Sequence, residues 1–152
     1  MPVLQRIALP MGQKEIMGII PHRPPFLLVD KIIELVPGQS AKGTFFADPA
    51  CDFFAGHFPG NPVMPGVLIL EAINQVGAVA LLSSPEFQGK IPVFLHVREA
   101  KFKGSVRPGD TLLIGAEKVW QRRAFGECRG SVTVNNEIVA TATIGFGVIS
   151  SL

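Results

Sequence analysis

Between Gly66 and Leu82 the chain reads GVLILEAINQVGAVALL, a stretch that is apolar almost all the way round a helix rather than along one stripe. At 1.5 Å per residue such a helix is about 25 Å long, and it must be covered on most of its sides. It falls short of the roughly 20 uninterrupted apolar residues that a spanning helix needs, and Glu71, Asn74 and Gln75 break it in the middle. The element is therefore expected at the centre of a non-membrane fold, with the rest of the chain wrapped around it.

The remaining sequence supplies strands for that wrapping. Lys14 to Ile20 reads as a short helix ending before Pro21, and Phe26 to Leu35 as a first strand closed by Pro37-Gly38. Ser40 to Ala47 resumes as a strand, and beyond Pro85 come Val93 to Val106, Thr111 to Trp120, Ala124 to Val134 and Glu137 to Ile149, rich in β-formers. Pro108-Gly109-Asp110 marks a turn, and Asn135-Asn136 suits a tight hairpin because Asn tolerates positive φ. One buried helix beside hairpin-connected strands predicts an α+β domain with an antiparallel sheet around a long central helix.

Composition bounds the rest. A chain of 152 residues is read as a single domain, 1–152, since one domain takes about 100–200. Apolar residues make up 47% and charged residues 17%, and the mean hydropathy is +0.36. That leaves apolar surface for a small domain to hide, so a homo-oligomer is expected. A net charge of +2, from 14 basic and 12 acidic residues, argues against a nucleic-acid binder. The start, MPVLQRIALPMGQKE, is broken by Arg6, Pro10 and Gly12 and lacks signal-peptide character, so a cytoplasmic location with no membrane attachment is expected. Cys51 and Cys128 stand apart from each other and from any His cluster, which predicts packed thiols and no metal site.

Glu71, Asn74 and Gln75 lie at i, i+3 and i+4 and share one helix face. Burying a carboxylate without a partner costs several kcal/mol, so Glu71 must face water, a partner or a substrate. Three polar residues in an otherwise apolar stretch are too few for a solvated face, which favours a functional Glu71. Just upstream, FAGHFPGNPVMPG places His57 in a loop stiffened by Pro59, Pro62 and Pro65. Pro65 sits where a helix begins and its missing N–H costs nothing. The first amides, Gly66 and Val67, then point out of a helix N-terminus that favours an oxyanion. Histidine, carboxylate and oxyanion donors come together within a short span. His22, in PHRPPF, and His96, in a strand, lack such company and are read as structural.

At HFPGNPVMPGVLILEA the chain resembles the 3-hydroxyacyl-acyl-carrier-protein dehydratases of type II fatty acid synthesis, of the FabZ type. The likeness extends to PHRPPFLLVD, EAINQ, REAKFKGSVRPGD and the closing strands, nearly the whole chain. It implies a hot-dog fold, a homodimer whose two sheets form one surface, and three such dimers in a hexamer. It further implies an active site across the dimer interface, with His57 of one subunit facing Glu71 of the other beside an acyl tunnel. The Val63 carbonyl would orient the histidine and the Gly66 amide would hold the thioester oxygen; with Val67 at the helix N-terminus and Gln75 one turn beyond Glu71, these are the candidate substrate-binding residues. The sister FabA-type branch, which also isomerises, carries Asp at the Glu71 position, which favours the simple dehydratase. Two departures stand out: Pro24 occupies a position that is often aromatic, and a chain without tyrosine cannot use one to gate a tunnel.

The reaction implied is loss of water from a 3-hydroxyacyl thioester to give a trans-2-enoyl thioester. His57 would take the α proton, since histidine titrates nearest neutrality, and Glu71 would donate to the departing hydroxyl or position a water. Gln75 would either orient Glu71 or serve only as an interface hydrogen bonder. The acyl carrier protein that delivers the chain is acidic, and Arg98, Lys101, Lys103 and Arg107, with Arg122 and Arg123 in a turn expected nearby, form a candidate docking patch. No cofactor is expected. The rival activities are a dehydratase-isomerase, a hot-dog thioesterase that needs no such histidine, and a non-catalytic acyl-binding module.

Overall fold

The computed structural model describes residues 7–152. Residues 1–6, which carry part of the segment weighed above as a leader, lie outside the described residues. A short helix α1 (Gln13–Met17) precedes the hairpin of β1 (Lys31–Val36) and β2 (Ser40–Phe46). One helical turn, α2 (Asp52–Ala55), and the long α3 (Gly66–Leu82) follow. The chain closes with β3 (Ile91–Phe102), β4 (Thr111–Arg122), β5 (Phe125–Val134) and β6 (Glu137–Ile149). All neighbouring strands are antiparallel, in the order β1-β2-β4-β5-β6-β3, so β3 crosses to the far edge of a six-stranded sheet. The sheet wraps α3, which is the hot-dog arrangement expected from the sequence.

Helix α3 is buried from Ile69 and Leu70 through Leu82, with only Glu71 and Asn74 partly exposed on that run. Its core partners are Ile32, Ala41, Phe45, Leu112, Ile114, Ala116, Val132, Ala140 and Ile144, inward-facing residues of the neighbouring strands β1, β2, β4, β5 and β6. The helix lies close to the sheet at Gly130, where a Cβ would collide with Ile73 Cγ2 and come within 2.9 Å of the Gly115 carbonyl. The far end of α3 is tied down by the β1–β2 turn, whose Gly38 (φ +77°) donates its N–H to the Ala80 carbonyl at 2.8 Å. Asn135 and Asn136 adopt φ of 52° and 66°, which is the positive-φ pair that a two-residue hairpin requires.

Strand β1 starts later than the sequence suggests. Leu27, Leu28 and Val29 are buried but bonded outside the sheet: the Leu28 N–H goes to Gln75 Oε1 at 2.7 Å. A side chain of α3 thus takes the place of a partner strand over this segment. Strand β3 is exposed over most of its length, with Phe94, Leu95, Val97 and Phe102 all open to solvent in the single subunit. A long, apolar, unpaired edge of this kind is a template for pairing with another chain.

Candidate active site

The loop between α2 and α3 is held by its own backbone. Phe58 and Asn61 exchange N–H and carbonyl bonds at 3.1 and 2.9 Å, and Met64 N–H binds the Val106 carbonyl at 2.8 Å. Within this frame Val63 grips His57 twice. Its N–H donates to the His57 carbonyl at 2.8 Å, and its own carbonyl lies 2.8 Å from His57 Nδ1. A carbonyl only accepts, so Nδ1 carries the hydrogen and Nε2 presents its lone pair. The ring also stacks on Phe58, with centroids 4.1 Å apart.

Pro65 caps α3, and its carbonyl receives both Leu68 and Ile69 N–H at 2.9 and 3.2 Å. The amides of Gly66 and Val67 are left at the open end, where the helix dipole favours negative charge. Strand β3 approaches Gly66 closely: a Cβ there would meet the half-exposed Phe102 ring at 3.0 Å, and the ring would have to shift. Val67 is 73% exposed in the single subunit.

One turn further on, Glu71 accepts from Gln75 Nε2 at 3.0 Å (Oε1) and from Asn74 Nδ2 at 3.4 Å (Oε2). Gln75 is fully buried, and both its N–H groups are used: Nε2 also donates to the Phe26 carbonyl at 2.9 Å, while Oε1 accepts from the Leu28 N–H. It therefore faces the protein and holds Glu71, with no N–H left for a ligand. Among the described residues, no hydrogen bond or ion pair joins His57 to Glu71 of the same chain.

His22 does not stand apart as expected. Its Nε2 lies 3.4 Å from Glu71 Oε1, with the two side chains only 15% and 14% exposed. The sequence signal was available in the prolines around it, Pro21, Pro24 and Pro25, which stiffen the His22 loop as prolines stiffen the His57 loop. His96 joins a separate group on the outer face of the sheet, 3.2 Å from Glu127. Arg98 donates to Glu127 at 2.7 and 3.0 Å and Trp120 Nε1 at 2.7 Å, and these bonds hold the Glu127 carboxyl down to about 2.

That group changes the expected basic patch. The Arg98 guanidinium is spent on Glu127, which leaves Lys101, Lys103 and Arg107 exposed around the end of β3. Arg107 reaches the His57 loop through Asn61 Oδ1 at 3.3 Å. Arg122 and Arg123 are not nearby. The pairing Arg122↔Phe125↔Gly147 puts them at the opposite end of the sheet from Lys101↔Thr141. Between Thr141 and Gly147 a strand covers about 20 Å at 3.4 Å per residue.

Beside Asn74 an apolar crevice runs between α3 and the sheet, lined by Ile73, Gly77, Cys128, Ile144 and Phe146. It encloses about 10 Å³, about one water's worth and too little for an alkyl chain. The Cys128 thiol is buried at its wall and pushed up to about 12 by loss of solvent; Cys51 is half-buried, and both are free. Among the described residues no three metal-ligating side chains gather.

The sequence profile of the FabA-like domain matches residues 20–143. The chain is 47% identical over 138 residues to the 3-hydroxyacyl-[acyl-carrier-protein] dehydratase FabZ of Symbiobacterium thermophilum, covering 89% of this chain and 95% of that protein. It is 50% identical over 135 residues to the enzyme of the same name from Chloroflexus aggregans, covering 89% and 94%. Among solved structures, the dehydratase heterocomplex ApeI:P from Xenorhabdus doucetiae superposes with a TM-score of 0.71 at 16% identity, over 93% of this chain and 91% of that one. At that identity it bears on the fold alone.

Proposed function

The chain belongs to the FabA-like family and catalyses dehydration of 3-hydroxyacyl thioesters carried on acyl carrier protein in fatty acid biosynthesis, and we propose that His57 and Glu71 perform the elimination from opposite sides of a dimer interface. The observation that carries the assignment is the 2.8 Å contact from His57 Nδ1 to the Val63 carbonyl, which leaves Nε2 as a base.

The steps follow from what each group offers. His57 Nε2 removes the α proton as negative charge grows on the thioester oxygen, which the Gly66 amide and the N-terminus of α3 stabilise. The electron pair left on the α carbon forms the double bond as the C3–OH bond breaks. Glu71 supplies the proton to the departing hydroxyl, so one water leaves and a trans-2-enoyl thioester remains. Gln75 orients the Glu71 carboxyl, and the exposed Val67 side chain borders the substrate beside Gly66.

Three features support a shared site: no hydrogen bond or ion pair joins His57 to Glu71 within one chain, the apolar edge of β3 is unpaired, and the crevice beside Asn74 in one subunit is too small for an acyl chain. Pairing of β3 with its copy makes a continuous sheet, and a hexamer of three such dimers completes the assembly. Carrier protein docks through Lys101, Lys103 and Arg107, close to the His57 loop, in a cytoplasmic setting. No described helix is long and apolar enough to cross a membrane.

The test is an assay of hydration and dehydration on 3-hydroxyacyl carriers of graded length with His57→Ala and Glu71→Gln. Both variants are expected to keep the oligomer and lose turnover. Wild-type turnover in either overturns the assignment.

A further inference from the structure

Glu71 Oε1 is approached from two directions. Gln75 Nε2 donates to it at 3.0 Å from within α3, and His22 Nε2 stands 3.4 Å away on the loop before Phe26. That loop is braced by Arg23, whose Nη1 binds the Ile20 and His22 carbonyls at 2.9 and 2.7 Å. The other ring nitrogen of His22, Nδ1, is buried and has no partner among the described residues. Oε2 has only the 3.4 Å contact to Asn74.

The orphaned nitrogen decides the form of the ring. An imidazolium would leave a buried Nδ1–H without an acceptor, which costs more than an unused lone pair. A neutral ring protonated on Nδ1 would strand the same donor and turn the Nε2 lone pair towards Oε1, which already accepts from Gln75. Only the neutral Nε2–H form leaves a bare lone pair in the dry position and a donor towards the carboxyl. At 3.4 Å the contact is long for a hydrogen bond, and a shift of a few tenths of an ångström closes it, as is common when substrate tightens an empty site.

We propose that His22 is a positioning residue for Glu71: a neutral imidazole whose Nε2–H, together with Gln75, anchors Oε1 and leaves Oε2 as the oxygen that exchanges a proton with the substrate hydroxyl. This rests on the assignment of Glu71 as the acid. It divides the carboxyl into one held and one working oxygen, each with a separate set of neighbours. The charged group paired with the ring is Glu71 from α3; Arg23, next to it on the loop, is bonded through Nη1 to backbone carbonyls.

Two variants and one spectrum test it. His22→Phe keeps a flat ring without a donor, and His22→Gln restores an N–H at about the reach of Nε2. His22→Phe is expected to lower kcat about 10- to 100-fold with KM little changed, as for a misaligned acid, and His22→Gln to recover most of that loss. In ¹⁵N-histidine-labelled wild-type protein at assay pH, His22 should show a protonated Nε2 and a bare Nδ1. Full kcat in His22→Phe, equal loss in both variants, or a doubly protonated His22 each overturns the proposal. The two readings fail separately. Inactive Glu71→Gln with wild-type His22→Phe removes only the role of His22, whereas active Glu71→Gln removes the assignment beneath it.

Discussion

Replacing Gln75 by Met tests how the fold and the site share one side chain. Met fills nearly the same volume, so the cavity term is small. What is lost is polar: the buried Leu28 N–H loses its 2.7 Å acceptor, the Phe26 carbonyl its 2.9 Å donor, and Glu71 its 3.0 Å donor. Leu28 is 2% exposed, so its amide is stranded without that acceptor. One stranded buried N–H costs about 1–3 kcal/mol, and that is the expected loss of stability. Urea unfolding at fixed protein concentration should show a lower midpoint with an unchanged slope. Turnover of folded protein should fall about 10-fold or more through misorientation of Glu71, with KM little changed. A Gln75→Met protein as stable and as active as wild type would refute the claim that this amide joins the 26–28 segment to the acid.

Two further predictions concern the frame. Gly130→Ala forces a Cβ against Ile73 and the Gly115 carbonyl, and should cost about 1–3 kcal/mol in urea unfolding. Adding Ile73→Ala should make the double variant more stable than the sum of the two losses, and simple additivity would contradict the close approach. Glu127 has a folded pKa of about 2, below its ordinary 4.5, so its contribution is present above the ordinary value and lost as pH falls from about 4.5 to 2. Glu127→Gln should flatten acid unfolding in that window, followed by Trp120 fluorescence, and an unchanged acid slope would count against the network.

The parts of the molecule that are local in the chain were legible before the structure. The all-round apolar run from Gly66 to Leu82 is the central helix, Asn135-Asn136 is the tight turn, and the proline-rich loop does hold His57 by its own backbone. What escaped depends on pairing at a distance. Phe26 to Val29 has the pattern of a strand, but its hydrogen bonds go to Gln75, far along the chain. Arg122 ends β4 and Arg123 follows it in the turn, and the register carries them to the opposite end of the sheet from Lys101. Arg98 reads as a free cation until β3 and β5 bring it to Glu127 across β6. For His22 the surrounding prolines mark a stiffened loop, but its partner, Glu71, lies on another element, and only the fold brings the two together.

The central claim is that one active site draws on two chains, and mixed dimers test it directly. In a dimer of one His57→Ala and one Glu71→Gln subunit, one site carries both substitutions and the other carries neither. Random co-assembly of the two inactive variants should therefore restore about a quarter of wild-type turnover, since about half the dimers are mixed and each has one intact site of two. Recovery near that level supports the shared site. A mixture as inactive as its parents, with mixed dimers shown to form, would place His57 and Glu71 in the same chain's site and contradict the account.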